Sequence, residues 1–176
     1  MRLHTGDPSL YGAIREQMDR LDELGIKYDI CPGVSSFCGA AAALRAEYTL
    51  PDVSQTVIIT RMAGRTPVPE KESIAALAAH NATMVIFLST GLLKELSAEL
   101  IRGGYKPDTP AAIVYKASWA DQKVCRCTVE DLAQTASDNG ITKTALICVG
   151  YFLGNDYSLS KLYDKSFETE FRKAEI

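Results

Sequence analysis

The stretch TVIITRMAGRTPVPEKESIAALAAHNATMVIFLS, residues 56–89, predicts two strands joined by a loop and a helix. Its first six residues are typical of a strand. The loop after them leads through two prolines into a helix at 70–80 that has acidic residues in its first turn. The continuous apolar run at 83–89 is typical of a strand buried on both faces. Together these segments predict an α/β fold.

The same alternation continues along the rest of the chain and supports the α/β class. The predicted helices are 9–24, 35–46, 92–104 and 130–138, and the predicted strands are 26–31, 111–118, 122–129 and 144–153. The tail from residue 155 is polar and predicted to be weakly helical. The break at Pro51-Asp52 predicts a domain junction, with an N-terminal unit over 1–52 and a C-terminal unit over 53–176.

Composition and charge exclude several classes of protein. Of the 176 residues, 47% are apolar and 23% are charged, which is ordinary for a globular protein, and the net charge of −3 disfavours a nucleic-acid partner. No apolar run approaches the ~20 residues that span a membrane, and we expect a cytoplasmic protein. The five cysteines form no CxxC pair, so we interpret them as reduced, mostly buried thiols, and we predict no metal site.

A glycine turn at Thr5-Gly6-Asp7-Pro8-Ser9 has two interpretations. Gly6 can adopt a backbone angle closed to other residues, which lets a ligand approach the main chain. Alternatively, Asp7 caps the following helix and Pro8 occupies its first position, which requires no ligand. No phosphate-binding glycine motif occurs in the chain, so we expect any nucleotide-like ligand here to lack phosphates.

A second turn, Pro32-Gly33 followed by Ser35 and Ser36, repeats this order of strand, tight turn, hydroxyl and helix. In an open α/β sheet such turns lie at the carboxyl ends of strands, where ligands collect. Two turns at one edge of a sheet predict a ligand site there.

Two arginines and two histidines are further candidates. Arg61 and Arg65 flank a glycine after a strand, and they form either a solvated surface or a clamp for carboxylates, which suit the planar guanidinium. His4 lies beside the first turn, where it is a candidate for contact with a substrate; the alternative is that it has no contact with one. His80 ends a predicted helix, where we interpret it as structural.

The segments RLHTGDPSLYGAI, PGVSSFCGAAAAL, the stretch quoted first and PAAIVYKASWADQKV, in that order, resemble the tetrapyrrole (corrin/porphyrin) methyltransferases. Within that family, HTGDPS and TRMAGRTPVPEKE are most similar to members that methylate carbon 11 of precorrin-4 or cobalt-precorrin-4 in cobalamin synthesis. The likeness runs from residue 2 to about residue 153. Members of the family open with an apolar strand and a glycine-proline-rich loop before the first turn. We therefore expect a two-domain fold whose N-terminal domain is truncated.

The resemblance implies that S-adenosylmethionine binds between the two domains and leaves as S-adenosylhomocysteine, and that the protein is a homodimer. It implies Asp7 for cofactor orientation, His4 and Tyr11 for polar contacts or proton handling, and Arg61 and Arg65 for the carboxylates of an anionic tetrapyrrole. By position, the cofactor-binding residues are Thr5, Gly6, Asp7, Leu10, Ser35, Ser36, Leu88, Ala112 and Ala117. Two alternatives stay open: a related methylase that acts at another ring carbon, or an inactive fragment that only binds cofactor or self-associates.

Overall fold

A five-stranded mixed sheet organises the computed structural model, which describes residues 1–160, 164–168 and 170–173. The order across the sheet is β1-β2-β5-β3-β4. β1 pairs with β2 in parallel, whereas the other three pairings are antiparallel, so β1, β2 and β3 share one direction. The strands are β1 Val57–Arg61, β2 Thr83–Phe87, β3 Pro110–Tyr115, β4 Lys123–Thr128 and β5 Ala145–Val149. The α/β class is confirmed, with a mixed sheet.

Helices cover both faces of this sheet because alternate strand residues point to opposite sides. In β2, Met84 and Ile86 pack with the helices of one face, whereas Val85 between them packs with the other. The first face carries α3, α4 and α5, and the second carries α2. The helices are α1 Arg15–Glu23, α2 Ser36–Leu44, α3 Ile74–Ala78, α4 Leu93–Gly103 and α5 Leu132–Asp138.

The structure corrects several predicted elements. The strand expected at 26–31 is absent, and its residues are exposed. No strand of the described chain lies beside them to form the hydrogen bonds of a sheet. The first helix begins only at Arg15 instead of residue 9, although it ends before Gly25 as predicted. The helix expected at 70–80 divides into a 3-10 turn, Glu70–Glu72, and α3, whose N-terminus is capped by Ser73.

The tail and the cysteines also differ from expectation. The described residues after 155 form turns and irregular stretches without a helix, and positions 161–163, 169 and 174–176 lie outside the described residues. All five cysteines are free, but only Cys148 is buried, because Cys31 and Cys38 lie on the exposed N-terminal part and Cys125 and Cys127 on an edge strand. In the part of the chain that the structure describes, no helix combines the length and the apolar character needed to cross a bilayer.

The segment before residue 53 does not stand apart from the sheet. From α2, Ala40 and Leu44 are buried together with Tyr48 against residues of β2, β3 and β5. The Tyr48 hydroxyl donates to the carbonyl of Phe37 at 2.7 Å, and the Thr83 hydroxyl donates to the carbonyl of Tyr48 at 2.8 Å. A division of the chain at residue 52 stays a prediction.

Candidate functional site

The two glycine turns lie in direct contact through the carboxylate of Asp7. Its Oδ2 accepts a hydrogen bond from the backbone N–H of Gly33 at 2.8 Å. Its Oδ1 accepts from the backbone N–H of Ser9 at 2.9 Å and from the Ser9 hydroxyl at 2.5 Å. These bonds favour the charged form, so they hold the pKa of Asp7 below its ordinary value.

The turns are packed so closely that a side chain at Gly33 has no room. A Cβ there would stand 2.0 Å from the carbonyl oxygen of Gly6. Gly6 itself has φ +66°, the left-handed conformation that favours glycine. The predicted conformation of Gly6 is therefore present, and the group that approaches its main chain is the second turn.

The prediction that Asp7 caps the first helix is wrong. α1 begins at Arg15 after Ile14, and the intervening Tyr11 and Ala13 have positive φ angles that no helix can contain. Asp7 instead bonds to the residue two positions ahead, as short acidic side chains do in turns. Its chemistry belongs to the turn.

The second turn leads into α2, which connects it to the end of β3. Ser35 is the buried N-cap residue with an extended backbone, and Ser36 is exposed at the start of the helix. One turn further along α2, a Cβ added at Gly39 would stand 3.4 Å from the Cβ of Ala117. Ala117 therefore lies beside the helix that starts at the second turn.

On the other side, Tyr11 connects the first turn to the end of β2. Its ring centroid lies 5.3 Å from that of Phe87. Burial raises the pKa of Tyr11, the nearby Arg61 guanidinium lowers it and the Glu72 carboxylate raises it. Leu88, the next residue after Phe87, has φ 54° and leaves 73% of its surface exposed.

These contacts converge on one edge of the sheet, where β1, β2 and β3 have their carboxyl ends. The structure brings to this edge both turns, Tyr11, Arg61, Leu88 and Ala117. Thr5, the first residue of the first turn, and His4 before it are exposed, and Leu10 is half-buried. Ala112 is different, because it is fully buried within β3 between β4 and β5, where its main chain has no open surface for a nucleoside.

The two arginines have different positions. The guanidinium of Arg61 donates to the main-chain carbonyls of Met62 at 3.1 Å, Thr66 at 3.1 Å and Pro67 at 2.9 Å, so it holds its own loop together. Arg65 is exposed on that loop. Arg61 is therefore largely engaged by backbone carbonyls, and a carboxylate clamp made by the two arginines stays a prediction.

Ser89 was missed by the sequence analysis. It is fully buried, its hydroxyl accepts from the N–H of Met62 at 3.0 Å, and it donates to the carbonyl of Phe87 at 2.7 Å. It thereby ties the end of β1 to the end of β2. Its place directly after an apolar run is the signal that could have identified it. Within 1–160, 164–168 and 170–173, no group of three or more metal-ligating side chains comes together.

Comparison with known proteins identifies a family and several relatives that are similar to this chain in sequence. The profile of the tetrapyrrole (corrin/porphyrin) methylases matches residues 1–133. The cobalt-precorrin-4 C(11)-methyltransferase of Methanocaldococcus jannaschii is 56% identical over 175 residues, which are 99% of this chain and 68% of that protein. The uroporphyrinogen-III C-methyltransferase of Bacillus subtilis is 30% identical over 176 residues, which are all of this chain and 66% of that protein.

A solved structure gives the same result at the level of the fold. The X-ray structure of a cobalamin biosynthetic enzyme, cobalt precorrin-4 methyltransferase, matches with a TM-score of 0.85 and 51% identity. The match covers 88% of this chain and 64% of that one. The chain therefore spans about two thirds of the length of these relatives.

Proposed function

The chain belongs to the tetrapyrrole (corrin/porphyrin) methylases, and from this premise we propose that it methylates carbon 11 of cobalt-precorrin-4 or precorrin-4 in cobalamin synthesis. The observation that carries this proposal is the 56% identity to a cobalt-precorrin-4 C(11)-methyltransferase across 99% of the chain. The uroporphyrinogen-III methylase is only 30% identical over the same length, which disfavours methylation at another ring position.

The edge described above fits S-adenosylmethionine by its chemistry. Leu88 offers an exposed apolar side chain, Ser36 an exposed hydroxyl and Ala117 a small, half-buried side chain. When bound, the cofactor supplies a methyl group already activated by a positively charged sulfur. The task of the protein is then to bind and orient the reactants, which can supply several kcal/mol of the barrier reduction.

The substrate is an anionic tetrapyrrole, and Arg65 is the group best placed to bind its carboxylates. Arg65 is exposed on a loop whose shape is held by Arg61 through three carbonyls. We assign Arg65 the direct contact and Arg61 the support of the loop. The Tyr11 hydroxyl, whose pKa is raised by burial, is a hydrogen-bond donor at this edge, with His4 as a second polar group.

The proposal extends to a cytoplasmic homodimer. Among the described residues β4 pairs only with β3, so it forms an edge of the sheet, and such an edge can pair with another chain. The exposed apolar side chains of the N-terminal part, among them Ile26, Tyr28 and Ile30, give a second surface for association.

Product mass with defined substrates tests the proposed function. The chain is incubated with S-adenosylmethionine and one of three substrates: cobalt-precorrin-4, precorrin-4 or uroporphyrinogen III. We expect one added methyl group on cobalt-precorrin-4 or precorrin-4 and none on uroporphyrinogen III. Methylation of uroporphyrinogen III would support the related methylase instead. No product from any substrate, with or without binding of S-adenosylhomocysteine, would support the inactive fragment.

Two arginine variants refine the assignment of the substrate side. Arg65→Ala is expected to raise KM for the tetrapyrrole with kcat nearly unchanged, because it removes a contact made equally in the ground state and the transition state. Arg102→Ala is the matched control, since Arg102 is exposed on α4 and pairs with Glu99. Equal kinetics for the two variants would remove Arg65 from the substrate site.

A further inference from the structure

We propose that Asp7 is a positioning residue that locks the two glycine turns together and shapes the cofactor site through Gly33. The part of this inference that concerns the cofactor rests on the proposed function. The lock itself is a property of the fold and can be tested without any ligand.

The carboxylate of Asp7 is already occupied within the protein. An ionised carboxylate has about four positions for accepting hydrogen bonds. Three donors take up such positions here: the N–H of Gly33, the N–H of Ser9 and the hydroxyl of Ser9. A carboxylate bonded in this way holds protein groups in place and has little capacity left for a ligand.

The two turns are also in close steric contact at Gly33, and this contact limits how near to each other they can lie. The carbonyl of Gly6 lies where a side chain of Gly33 would start, so the turns fit only at one separation. A Cβ at Gly6 would lie 3.6 Å from the Cα of Ser35 and 3.7 Å from the N of Ser36. The first turn therefore touches the residues at which α2 begins, and moving one turn moves the start of that helix.

The first turn is held by the burial of Pro8, by the contact of Tyr11 with Phe87 and by its link to the second turn. Among the residues that the structure describes, the bond from Gly33 to Asp7 is the only hydrogen bond that joins residues 1–14 to residues 32–36. α1, which follows the first turn, has no buried residue that could anchor it by packing. The separation between the two turns thus depends on one carboxylate and one close backbone contact.

Amide exchange of Gly33 tests the lock directly. In protein labelled with 15N-glycine, Asp7→Asn is expected to speed exchange of the Gly33 amide several-fold, because an asparagine has one acceptor oxygen and cannot serve both turns. Asp29→Asn is the matched control, since Asp29 is exposed in the same part of the chain. Ser9→Ala keeps the charge of Asp7 and removes one hydrogen-bond donor. If Asp7→Asn does not fold, Ser9→Ala replaces it in the test, with a smaller expected increase in the exchange rate of the Gly33 amide.

Affinity for S-adenosylhomocysteine, measured by calorimetry on the same variants, tests the positioning role. We expect Asp7→Asn to weaken binding several-fold while the thermal midpoint stays close to that of the parent chain, and Asp29→Asn to change neither. Unchanged exchange at Gly33 would overturn the lock. Faster exchange with unchanged affinity would overturn the positioning role. If the parent chain binds no S-adenosylhomocysteine, the proposed function fails, whereas the exchange experiment still decides the lock.

Discussion

The sheet region, residues 57–153, and the N-terminal region, residues 1–34, are held by different forces. The sheet region contains large side chains that are completely inaccessible, such as Ile113 and Leu100. In the N-terminal region only Pro8 is buried, and several large apolar side chains are exposed, including Leu3, Ile26 and Val34. The first region is held by burial of apolar surface and the second by local hydrogen bonds and close backbone contact.

This difference shows that an amphipathic pattern does not guarantee burial. α1 carries Met18 and Leu21 at helical spacing, and it forms and ends at Gly25 as its sequence predicts. Neither side chain is buried, because burial requires a surface on the other side of the helix. The turns tolerate this situation because Asp7 and Gly33 hold them without a core.

The largest expected effect contrasts matched leucines in the two regions. Leu96→Ala in α4, where the side chain is fully inaccessible, should lower the free energy of unfolding by about 2–5 kcal/mol. Leu21→Ala in α1, where the side chain is only half-buried, should lower it by less than about 1 kcal/mol. Urea denaturation measures both values. Equal losses would show that the N-terminal region has a core of its own.

A second prediction concerns the contact between the turns. Gly33→Ala places a Cβ against the Gly6 carbonyl, and we expect either a loss of about 1–3 kcal/mol in stability or separation of the turns with weaker binding of S-adenosylhomocysteine. Gly91→Ala is the control, because a Cβ at Gly91 meets nothing within 4 Å. Denaturation and calorimetry on both variants give the answer. If Gly33→Ala behaves like Gly91→Ala, the close approach of the turns is contradicted.

The smallest expected effect is a change of the free energy of unfolding with pH, and it tests the effect of burial on a side chain of the sheet region. Burial raises the pKa of the Cys148 thiol from its ordinary value of 9.0 to about 12. Between these values the unfolded chain releases this proton while the folded chain retains it, so stability falls as pH rises, by at most about 1.4 kcal/mol per pH unit. Below about pH 9 the contribution is complete.

Urea denaturation at several pH values within that alkaline window measures the slope. Cys148→Ala should make the slope smaller by the part that this thiol contributes. A slope remains, because burial also raises the pKa of Cys127, Tyr48 and Tyr105. Val149→Ala, at the neighbouring buried position of β5, should lower stability at every pH and leave the slope unchanged. A parent slope equal to that of Cys148→Ala would show that the thiol does not contribute.

The amino-acid sequence predicted the sheet region well and the N-terminal region poorly. The strand at 83–89, with its continuous apolar run, appears as β2 with both faces covered. The run at 26–31 has an alternating pattern and forms no strand, since a strand exists only where another strand accepts its hydrogen bonds. At the site, the glycine turns were recognised from residue types, whereas the engagement of Arg61 by three carbonyls depends on how the loop folds back.

By itself, the sequence determined the α/β class, the positions of most helices and strands, and the residues that resemble a tetrapyrrole methylase, because apolar periodicity and turn residues act over short distances. The tertiary structure alone decided that the two turns meet through Asp7 and Gly33, that Ala112 is buried within the sheet, and that Arg61 supports a loop. These facts depend on which distant segments come together. A hydrogen bond across 26 residues is set by packing and backbone geometry, which no local pattern contains.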